Sequence, residues 1–416
     1  EPYIPKAWTF EVDERITAEG DVLKPLDEGA LIELLRHLKE ENFEAVAVSL
    51  LWSPVNNIHE ARVGALIGKH LPSIPYTLSS SLNPSVREYR RTSSAAIDAS
   101  LKPLMSRFFS ELESALRQYE FDGRLLIMTS SGGVLDAEAV AQTPIHSIGS
   151  GPAGAPVAAQ FFTALESSAQ NAIVTDAGGT TFDISLLRDG AIPTTRETMV
   201  GDPVAGYLTG FPSVDVRSIG AGGGSIAWVD SGGLLHVGPQ SAGADPGPAC
   251  YAQGGEKATV TDACVVLGYI DPEYFLGGAI RVDPDLARRT IQRDIAVPLG
   301  LEVVDAAAAI LQLAIERMVT AIEQITLSQG IDPQESVLIG GGGGAGLYCG
   351  GIAERLGCWP VQVPDASAAL SATGALLSDL QSTAVITDLL STSRFDTERA
   401  NSVLAWLEAQ CRAFID

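Results

Sequence analysis

Residues 173–185 read IVTDAGGTTFDIS, in which two strand-like segments flank Asp-Ala-Gly-Gly-Thr-Thr. The first segment is apolar, the second alternates apolar and polar residues, and the glycines between them suit a tight turn. The pattern therefore predicts a β-hairpin with its turn near Gly178 and Gly179.

The residues around that turn carry groups that bind phosphate and metal. Gly178 and Gly179 let the backbone approach a ligand and point its N–H groups outward, and two threonines, Thr180 and Thr181, follow. Asp176 and Asp183 supply carboxylates that can hold a hydrated Mg²⁺. A plain hairpin with turn-capping carboxylates is the alternative. The D-x-G-G-T pattern with a following aspartate favours the phosphate-and-metal site.

A second glycine segment, LIGGGGGAG, occupies residues 338–346. A strand that runs into glycines and then a helix is typical of nucleotide sites, because a helix N-terminus attracts anions. No G-K-[ST] follows, so the segment is not a P-loop. Gly341, Gly342, Gly343 and Gly344 are candidates to flank a nucleotide.

Strand-like and helical patterns alternate along the first half, which predicts an α/β fold with a mostly parallel sheet. Helices are predicted at 27–40, 59–70 and 92–119, and strands at 45–51, 76–80 and 124–130.

The second half contains a clear helix over 305–329, which Asp305 can cap and Gly330 can end. A glycine-rich insert over 201–280 is expected to form turns and loops rather than regular helix. The last part of the chain, from 387 to 416, predicts an amphipathic helical tail.

The 27 basic and 51 acidic residues give a net charge of −24. This balance argues against nucleic acid and anionic membrane surfaces as partners, because both require a basic face. Five widely spaced cysteines without a C-x-x-C pair indicate a reduced compartment. Since no apolar stretch is long enough to span a bilayer, we expect a cytoplasmic protein.

The D-A-G-G-T hairpin and the later glycine loop together resemble the actin-like ATPases. More specifically, the chain resembles the hydantoinase A/5-oxoprolinase family, which includes acetone and acetophenone carboxylase subunits. The segments that carry the resemblance are EVDERI (11–16), HEARV (59–63), NPSVREYRRTSSAAIDASLKPLM (83–105), SSGGVLDAEA (130–139), IGSGPAGA (148–155), DAGGTTFDIS (176–185), 215–251, TDACVVLG (261–268), GGAGL (343–347) and SATGALLSD (371–379).

The resemblance implies two related α/β domains around a cleft, with the first domain incomplete at its N-terminus. Relatives place an earlier D-x-G-G-T hairpin there, and we expect it on a preceding segment or another chain. The expected boundaries are 1–165 for the first domain, 166–386 for the second and 387–416 for the tail.

The resemblance also implies an ATP-dependent enzyme that uses Mg²⁺ or Mn²⁺ and phosphorylates a carbonyl oxygen. Hydrolysis of a cyclic amide of the hydantoin or 5-oxoproline type is the favoured reaction. A ketone carboxylase and a non-catalytic subunit are the alternatives. The non-catalytic alternative rests on the first phosphate hairpin expected elsewhere and on the family's G-G-A-G-P-L-H, which is GGAGLYC here, with Leu347, Tyr348 and Cys349. A hydantoinase B-type partner and an oligomer are expected.

Site roles follow from the same resemblance. Asp176 is the expected metal ligand, the turn residues 178–181 hold phosphate and metal-bound water, and residues 341–344 flank adenosine. Gly222 and Gly223, in GAGGGS, face the nucleotide or form a tight structural crossing. Asp183, Asp245 and Asp262 are candidates for catalysis, with a structural turn as the alternative for each.

Other reactive side chains carry weaker signals. His146 and His236 lie near glycine-rich segments and are possible substrate contacts, but no partner at ligand spacing supports a metal role. Cys250 and Cys264 have no nearby histidine, so core packing is expected of them.

Overall fold

The computed structural model describes residues 2–166, 169–202 and 205–415; residues 203–204 of the predicted insert lie outside this set. The strands are β1 (Arg15–Ile16), β2 (Val22–Lys24), β3 (Val46–Val48), β4 (Tyr76–Leu78), β5 (Leu126–Met128), β6 (Val134–Asp136), β7 (Ala172–Ala177), β8 (Phe182–Leu187), β9 (Thr194–Thr195), β10 (Met199–Val200), β11 (Tyr207–Leu208), β12 (Ser213–Val214), β13 (Arg217–Ile219), β14 (Ser225–Val229), β15 (Leu235–Ser241), β16 (Val337–Gly341) and β17 (Val361–Gln362). The helices are α1 (Glu28–Glu40), α2 (Ile58–His70), α3 (Ser79–Leu82), α4 (Glu88–Gln118), α5 (Ala137–Gln142), α6 (Ser150–Glu166), α7 (Val260–Val266), α8 (Pro284–Ile291), α9 (Val297–Leu299), α10 (Val303–Gln329), α11 (Ala345–Leu356), α12 (Leu370–Leu377) and α13 (Thr397–Ile415).

The chain divides into two units that interleave in sequence. Unit 1 comprises Glu1–Ser150, Thr194–Ser213 and Asp379–Asp416, and unit 2 comprises Gly151–Pro193 and Val214–Ser378. The borders of these units do not coincide with the domain boundaries predicted at residues 165 and 386. Those domain boundaries stay a prediction.

Unit 1 packs its helices against short strand pairs. Strands β3 and β4 pair in parallel, whereas β5 and β6 are antiparallel. Leucines of α1, among them Leu31 and Leu35, form a core with Val63 and Ile67 of α2. Helix α1 begins after Asp27, whose side chain accepts from the Ala30 N–H as an N-cap. The predicted helix is thus confirmed, while the expectation of a mostly parallel sheet is wrong for this unit.

A buried polar network ties the middle of unit 1 together. Glu60 and Arg91 are almost fully buried. Arg91 donates to the Ser79 hydroxyl at 2.6 Å, and that hydroxyl donates to Glu60 Oε1 at 2.7 Å. Burial lowers the pKa of Arg91, and the Glu60 carboxylate opposes that shift. Because each buried charge has polar partners, the network costs less than either charge would alone.

Unit 2 is built on one five-stranded sheet with the order β13–β8–β7–β16–β17. Strand β16 is parallel to β7 and β17, while β8 is antiparallel to β7 and β13, so the sheet is mixed rather than mostly parallel. Alternate residues face two cores. Ile173 packs into the larger core with α10 and α11, and Val174 packs into the smaller core with α6.

Two sequence predictions for unit 2 need correction. The helix predicted to start at Asp305 begins at Val303, with Glu302 at the N-cap, although Gly330 ends it in the left-handed conformation as expected. The glycine-rich insert is not only turns and loops. Within its described residues β14 and β15 form an antiparallel pair, and α7 is a regular helix with a capping box at Thr259 and Asp262.

Helices α6 and α12 meet at a pair of glycines. A Cβ on Gly154 would lie 2.2 Å from the carbonyl oxygen of Ser371, and a Cβ on Gly374 would lie 1.9 Å from the carbonyl oxygen of Gly154. No side chain fits in either place, so the two backbones pack directly against each other. This contact fixes the position of α12 on the smaller core.

We expect Gly154→Ala to lower the free energy of unfolding by roughly 1–3 kcal/mol, because the methyl group would force α6 and α12 apart. Gly151→Ala is the matched control: it lies in the same helix, and no described atom comes within 4 Å of a Cβ there. It should leave stability unchanged or slightly raised. Urea unfolding of both variants tests this, and equal stabilities would contradict the close-packing account.

Candidate functional site

Strands β7 and β8 form the predicted hairpin. Their register pairs Ala172 with Leu187 at one end and Asp176 with Asp183 near the turn. The Gly178 N–H donates to the Thr181 carbonyl at 3.0 Å and closes the turn. Thr180 and Thr181 are exposed. The sequence prediction of a hairpin at this position is confirmed.

The register places two carboxylates opposite each other. Directly paired residues on neighbouring strands point to the same face of a sheet, so Asp176 and Asp183 lie side by side, both half-buried. Burial raises the pKa of Asp183, the charge of Asp176 adds to that rise, and a hydrogen bond from Ser218 opposes it. The two carboxylates therefore repel each other in this structure.

Asp176 has a partner that the sequence did not reveal. The Ser371 hydroxyl donates to Asp176 Oδ2 at 2.9 Å. Ser371 lies in α12, and the Gly154–Gly374 contact holds that helix in place. The only sequence signal was the segment SATGALLSD, which carried the family resemblance without indicating a role for its first residue.

The glycine segment 340–344 lies directly beside the hairpin. Strand β16 pairs Gly341 with Asp176, and the Gly344 N–H donates to the Ala177 carbonyl at 2.9 Å. A Cβ on Gly342 would lie 2.3 Å from the Ala177 carbonyl oxygen and 2.6 Å from Asp176 Oδ1. Glycine at 342 is thus required for the backbone to pass this close to the carboxylate.

The segment GAGGGS lies on the other side of the hairpin turn. The Gly223 N–H donates to the Gly178 carbonyl at 3.2 Å, and the Gly224 N–H donates to the Gly179 carbonyl at 2.7 Å. A Cβ on Gly222 would lie 2.7 Å from the Gly178 carbonyl oxygen. This is the tight structural crossing that the sequence offered as the alternative to nucleotide contact. Two glycine segments distant in sequence therefore flank one turn.

Two glycines in this cluster have no packing reason to be glycine. No described atom lies within 4 Å of a Cβ built on Gly179 or Gly343, and both residues are exposed. Gly341 differs, because it is buried and a Cβ there would lie 2.5 Å from the Leu370 side chain. The open positions mark the side from which a ligand can approach the turn.

Asp262 is held in a structural arrangement. It is fully buried and accepts hydrogen bonds from the Thr259 N–H at 2.9 Å, the Thr259 hydroxyl at 2.7 Å and the Cys250 N–H at 2.7 Å. These bonds set the start of α7, where the Thr261 hydroxyl donates to the Gly223 carbonyl at 2.8 Å. The geometry favours a positioning role for Asp262 over acid–base catalysis.

The remaining candidates are Asp245, His236 and His146. Asp245 is exposed in the turn after β15. His236 stacks on Trp228 at 4.4 Å and pairs with Asp230 at 2.7 Å. His146 belongs to unit 1, where it contacts Phe211 edge-on and burial lowers its pKa.

The structure gives no support for cysteine or histidine chemistry at the hairpin. Cys250 and Cys264 are buried in the larger core, and burial raises the pKa of Cys264 to about 12, so core packing is the role that fits. Within the described residues, no group of three or more histidine, cysteine or acidic side chains could hold a metal ion by itself.

Comparison with known protein families shows to which family the chain belongs. The hydantoinase/oxoprolinase family model matches residues 91–384, and the model of that family's N-terminal region matches residues 1–71. The chain belongs to the hydantoinase/oxoprolinase family. The resemblance inferred from the sequence motifs is confirmed.

Two family members show how far the likeness extends. The caprolactamase subunit alpha of Pseudomonas jessenii is 36% identical over 378 residues, covering 91% of this chain and 54% of the relative. The acetophenone carboxylase gamma subunit of Aromatoleum aromaticum is 36% identical over 358 residues, covering 84% of this chain and 48% of the relative. The chain thus spans about half the length of these curated relatives.

Solved structures of family members share the fold. The ATP-dependent caprolactamase from Pseudomonas jessenii superposes with a TM-score of 0.87 at 34% identity, over 97% of this chain and 58% of that one. A nucleotide-free acetone carboxylase superposes with a TM-score of 0.77 at 27% identity, over 100% of this chain and 58% of that one. The α/β actin-like ATPase fold predicted from the sequence is confirmed. None of the described helices is long and apolar enough to cross a membrane.

Substitution of Asp183 by asparagine tests the cost of its charge, which comes first from burial of the carboxylate and then from the neighbouring charge of Asp176. The raised pKa means that Asp183 binds a proton more tightly in the native state than in the unfolded state. Stability therefore falls as the pH rises from the unfolded-state pKa of Asp183 through its higher native-state pKa. Asp183→Asn removes that penalty. It should raise the free energy of unfolding at neutral pH by roughly 0.2–1 kcal/mol, the size of a cross-strand charge pair.

The gain should disappear below the unfolded-state pKa of about 3.9. Urea unfolding at several pH values, without divalent metal, gives the measurement. The exposed Asp122, whose side chain is 98% accessible, provides an Asp→Asn control that should show no comparable gain. A pH-independent effect at Asp183 would contradict the repulsion.

Proposed function

We propose that this chain is the ATP-binding part of an enzyme that phosphorylates the carbonyl oxygen of a cyclic amide and thereby opens the ring. The observation that carries the proposal is the pair of carboxylates, Asp176 and Asp183, beside one turn flanked by two glycine segments. The proposal is supported by the relatives named as caprolactamase, since the lactam in that name is a cyclic amide.

The chemistry explains why ATP is needed. An amide oxygen that accepts the γ-phosphoryl group becomes part of a good leaving group, while the γ-phosphate–ADP bond breaks and ADP departs. Water then adds to the same carbon and the ring C–N bond breaks, which leaves an acyl phosphate and a free amine. A second water hydrolyses the acyl phosphate to a carboxylate and inorganic phosphate. Such transfer depends on positioning and on charge neutralisation rather than on covalent catalysis by the protein.

Backbone N–H groups at the turn are available for phosphate. Among the described residues, the N–H groups of Gly179, Thr180 and Gly343 have no backbone hydrogen-bond partner. The exposed hydroxyls of Thr180 and Thr181 add donors next to them. Backbone amides grouped in this way bind anions in an acidic protein without any basic side chain.

The carboxylate pair fits a magnesium or manganese ion. Mg²⁺ is bound in proteins by one or two carboxylates together with water and substrate phosphates, and Asp176 and Asp183 offer oxygen ligands side by side. A bound divalent cation would neutralise phosphate charge during transfer. Asp176 holds its carboxylate in place through the bond from Ser371, and Asp183 supplies the second charge. The repulsion between the two carboxylates favours a cation between them.

A ketone carboxylase is the second candidate, because the acetophenone carboxylase gamma subunit matches this chain at the same 36% identity as the caprolactamase subunit. An assay of the complete protein separates the two. ATP hydrolysis stimulated by a lactam or hydantoin alone supports the first proposal. Stimulation that requires both a ketone and bicarbonate would replace it with the second.

The case for a non-catalytic subunit is weaker than the sequence suggested. It rested on two grounds, the first D-x-G-G-T hairpin expected outside this chain and the departure at Leu347, Tyr348 and Cys349, and the structure bears on the second. Tyr348 and Cys349 are buried in the larger core, and a Cβ on Gly340 would lie 2.5 Å from the Cys349 sulfur. The departure therefore alters core packing at the start of α11 rather than the open side of the turn.

Partners and location complete the proposal. The matched relatives are named as subunits, which supports partner subunits and an oligomeric assembly; a hydantoinase B-type partner stays a prediction from the family resemblance. All five cysteines are free thiols, and four are buried, which supports the prediction of a reducing, cytoplasmic environment.

Asp176→Asn should lower turnover of the complete enzyme by roughly two or more orders of magnitude, because metal positioning and charge neutralisation dominate phosphoryl transfer. The melting temperature should not fall and should rise slightly, since asparagine keeps an oxygen that can accept from Ser371 and removes the charge beside Asp183. Ser371→Ala is the control: it removes that bond but keeps the charge, and it should cost much less activity. ATP hydrolysis and melting are measured on the same preparation.

The opposite pattern would show that Asp176 only caps the turn. That role predicts a stability loss of about 1 kcal/mol with nearly normal turnover per folded molecule.

Gly343→Ala should weaken ATP binding at least about tenfold without loss of stability, because the added methyl group would occupy space that only a ligand fills. Gly350→Ala, also at a site with open space but farther along α11, should change neither property. Calorimetric titration with ATP and Mg²⁺ gives the affinities. Unchanged affinity at position 343 would place the nucleotide elsewhere.

A further inference from the structure

A cavity lies in unit 1, at the start of α4. Its volume is about 710 Å³, and its lining includes Ser85, Arg87, Glu88, Tyr89, Arg90 and Arg196. The first five belong to the segment NPSVREYRR, whose buried arginine, Arg91, is already used in the polar network of unit 1. The other two arginines of this segment, Arg87 and Arg90, do not take part in that network.

The charges at this cavity are unusual for so acidic a chain. Three guanidinium groups face one lining carboxylate, although acidic residues outnumber basic ones by 51 to 27 over the whole sequence. Arg90 pairs with Glu197. Arg87 and Arg196 are exposed and form no ion pair or hydrogen bond with any described residue. Two unpaired guanidinium groups therefore remain.

The backbone adds donors at the same place. Helix α4 is 31 residues long, and its N-cap residue, Arg87, provides no side-chain cap for the first N–H groups. Arg87 has φ of 84°, a strained conformation for a residue with a side chain. The Ser85 hydroxyl is buried and has no partner within the described part of the chain. A helix N-terminus and two free guanidinium groups thus line one cavity.

We infer that this cavity binds a small organic anion through its carboxylate or phosphate group. Guanidinium groups bind both kinds of oxyanion in a bidentate manner, and the uncapped start of α4 adds favourable N–H groups. The volume exceeds what a lone phosphate needs and suits a small organic molecule. The exposed Tyr89 ring and the Val86 side chain supply the surface for its apolar part.

This inference does not depend on the proposed function, because the residues belong to unit 1 and not to the hairpin in unit 2. The ligand can be a substrate, a product or a regulator, and binding alone tests the site. Calorimetric titration of the complete protein with benzoate, and separately with inorganic phosphate, uses defined probes for the two kinds of oxyanion. Benzylamine, a cation of similar size to benzoate, controls for non-specific contact with Tyr89.

We expect saturable binding of at least one anion and none of benzylamine. Arg87→Gln and Arg196→Gln should each weaken that binding about tenfold or more, and added salt should weaken it further. Arg281→Gln, which removes an exposed arginine from unit 2, should leave it unchanged. Circular dichroism should show that both variants fold normally. If one of them unfolds, the other still tests the site, because the two substitutions are independent.

Binding of benzoate alone assigns the site to carboxylates, and binding of phosphate alone assigns it to phosphates. Two results would overturn the inference. One is the lack of saturable binding of either anion by the unaltered protein. The other is anion binding that survives both arginine substitutions, which would place the anion at another site such as the glycine-flanked turn.

Discussion

The pairing of Asp176 with Asp183 across β7 and β8 is the constraint on which the candidate site depends. Two carboxylates paired across neighbouring strands cost stability, yet the register of β7 and β8 leaves them no other position. Ser371 and Ser218 donate hydrogen bonds to these carboxylates, and among the described residues no cationic side chain does so. A divalent cation supplied with the nucleotide would complete this charge balance.

The glycines divide into those that the fold needs and those that it does not. Gly222 and Gly342 allow two distant segments to pack on the hairpin backbone, while Gly154 allows α12 to bring Ser371 to Asp176. Gly179 and Gly343 serve no such packing. The first group builds a rigid frame, and the second group leaves its open side free. The glycines that the packing of the sheet requires therefore lie beside the glycines that leave room for a ligand.

Local patterns in the sequence predicted the hairpin, the strand–glycine–helix segment and most helices, because each depends on neighbours a few residues apart. The pairing of Ser371 with Asp176 joins positions 195 residues apart and has no local signature. Asp262 resembled a catalytic residue among glycines, but its capping box and its bond to Cys250 become visible only when the insert is folded. The start of α10 was misplaced because Glu302, without a side-chain cap bond, precedes the apparent signal at Asp305.

Electron paramagnetic resonance of Mn²⁺ tests the central claim most directly, namely that the carboxylate pair binds the metal of a metal–nucleotide complex. The complete protein is titrated with Mn²⁺ and ATP, and the spectrum of the bound ion is compared with that of Mn²⁺–ATP in solution. We predict about one bound Mn²⁺ per chain that depends on ATP, is lost when Asp176 and Asp183 are both replaced by asparagine, and persists in Asp245→Asn. ATP-dependent Mn²⁺ binding that is unchanged in the double variant would contradict the account.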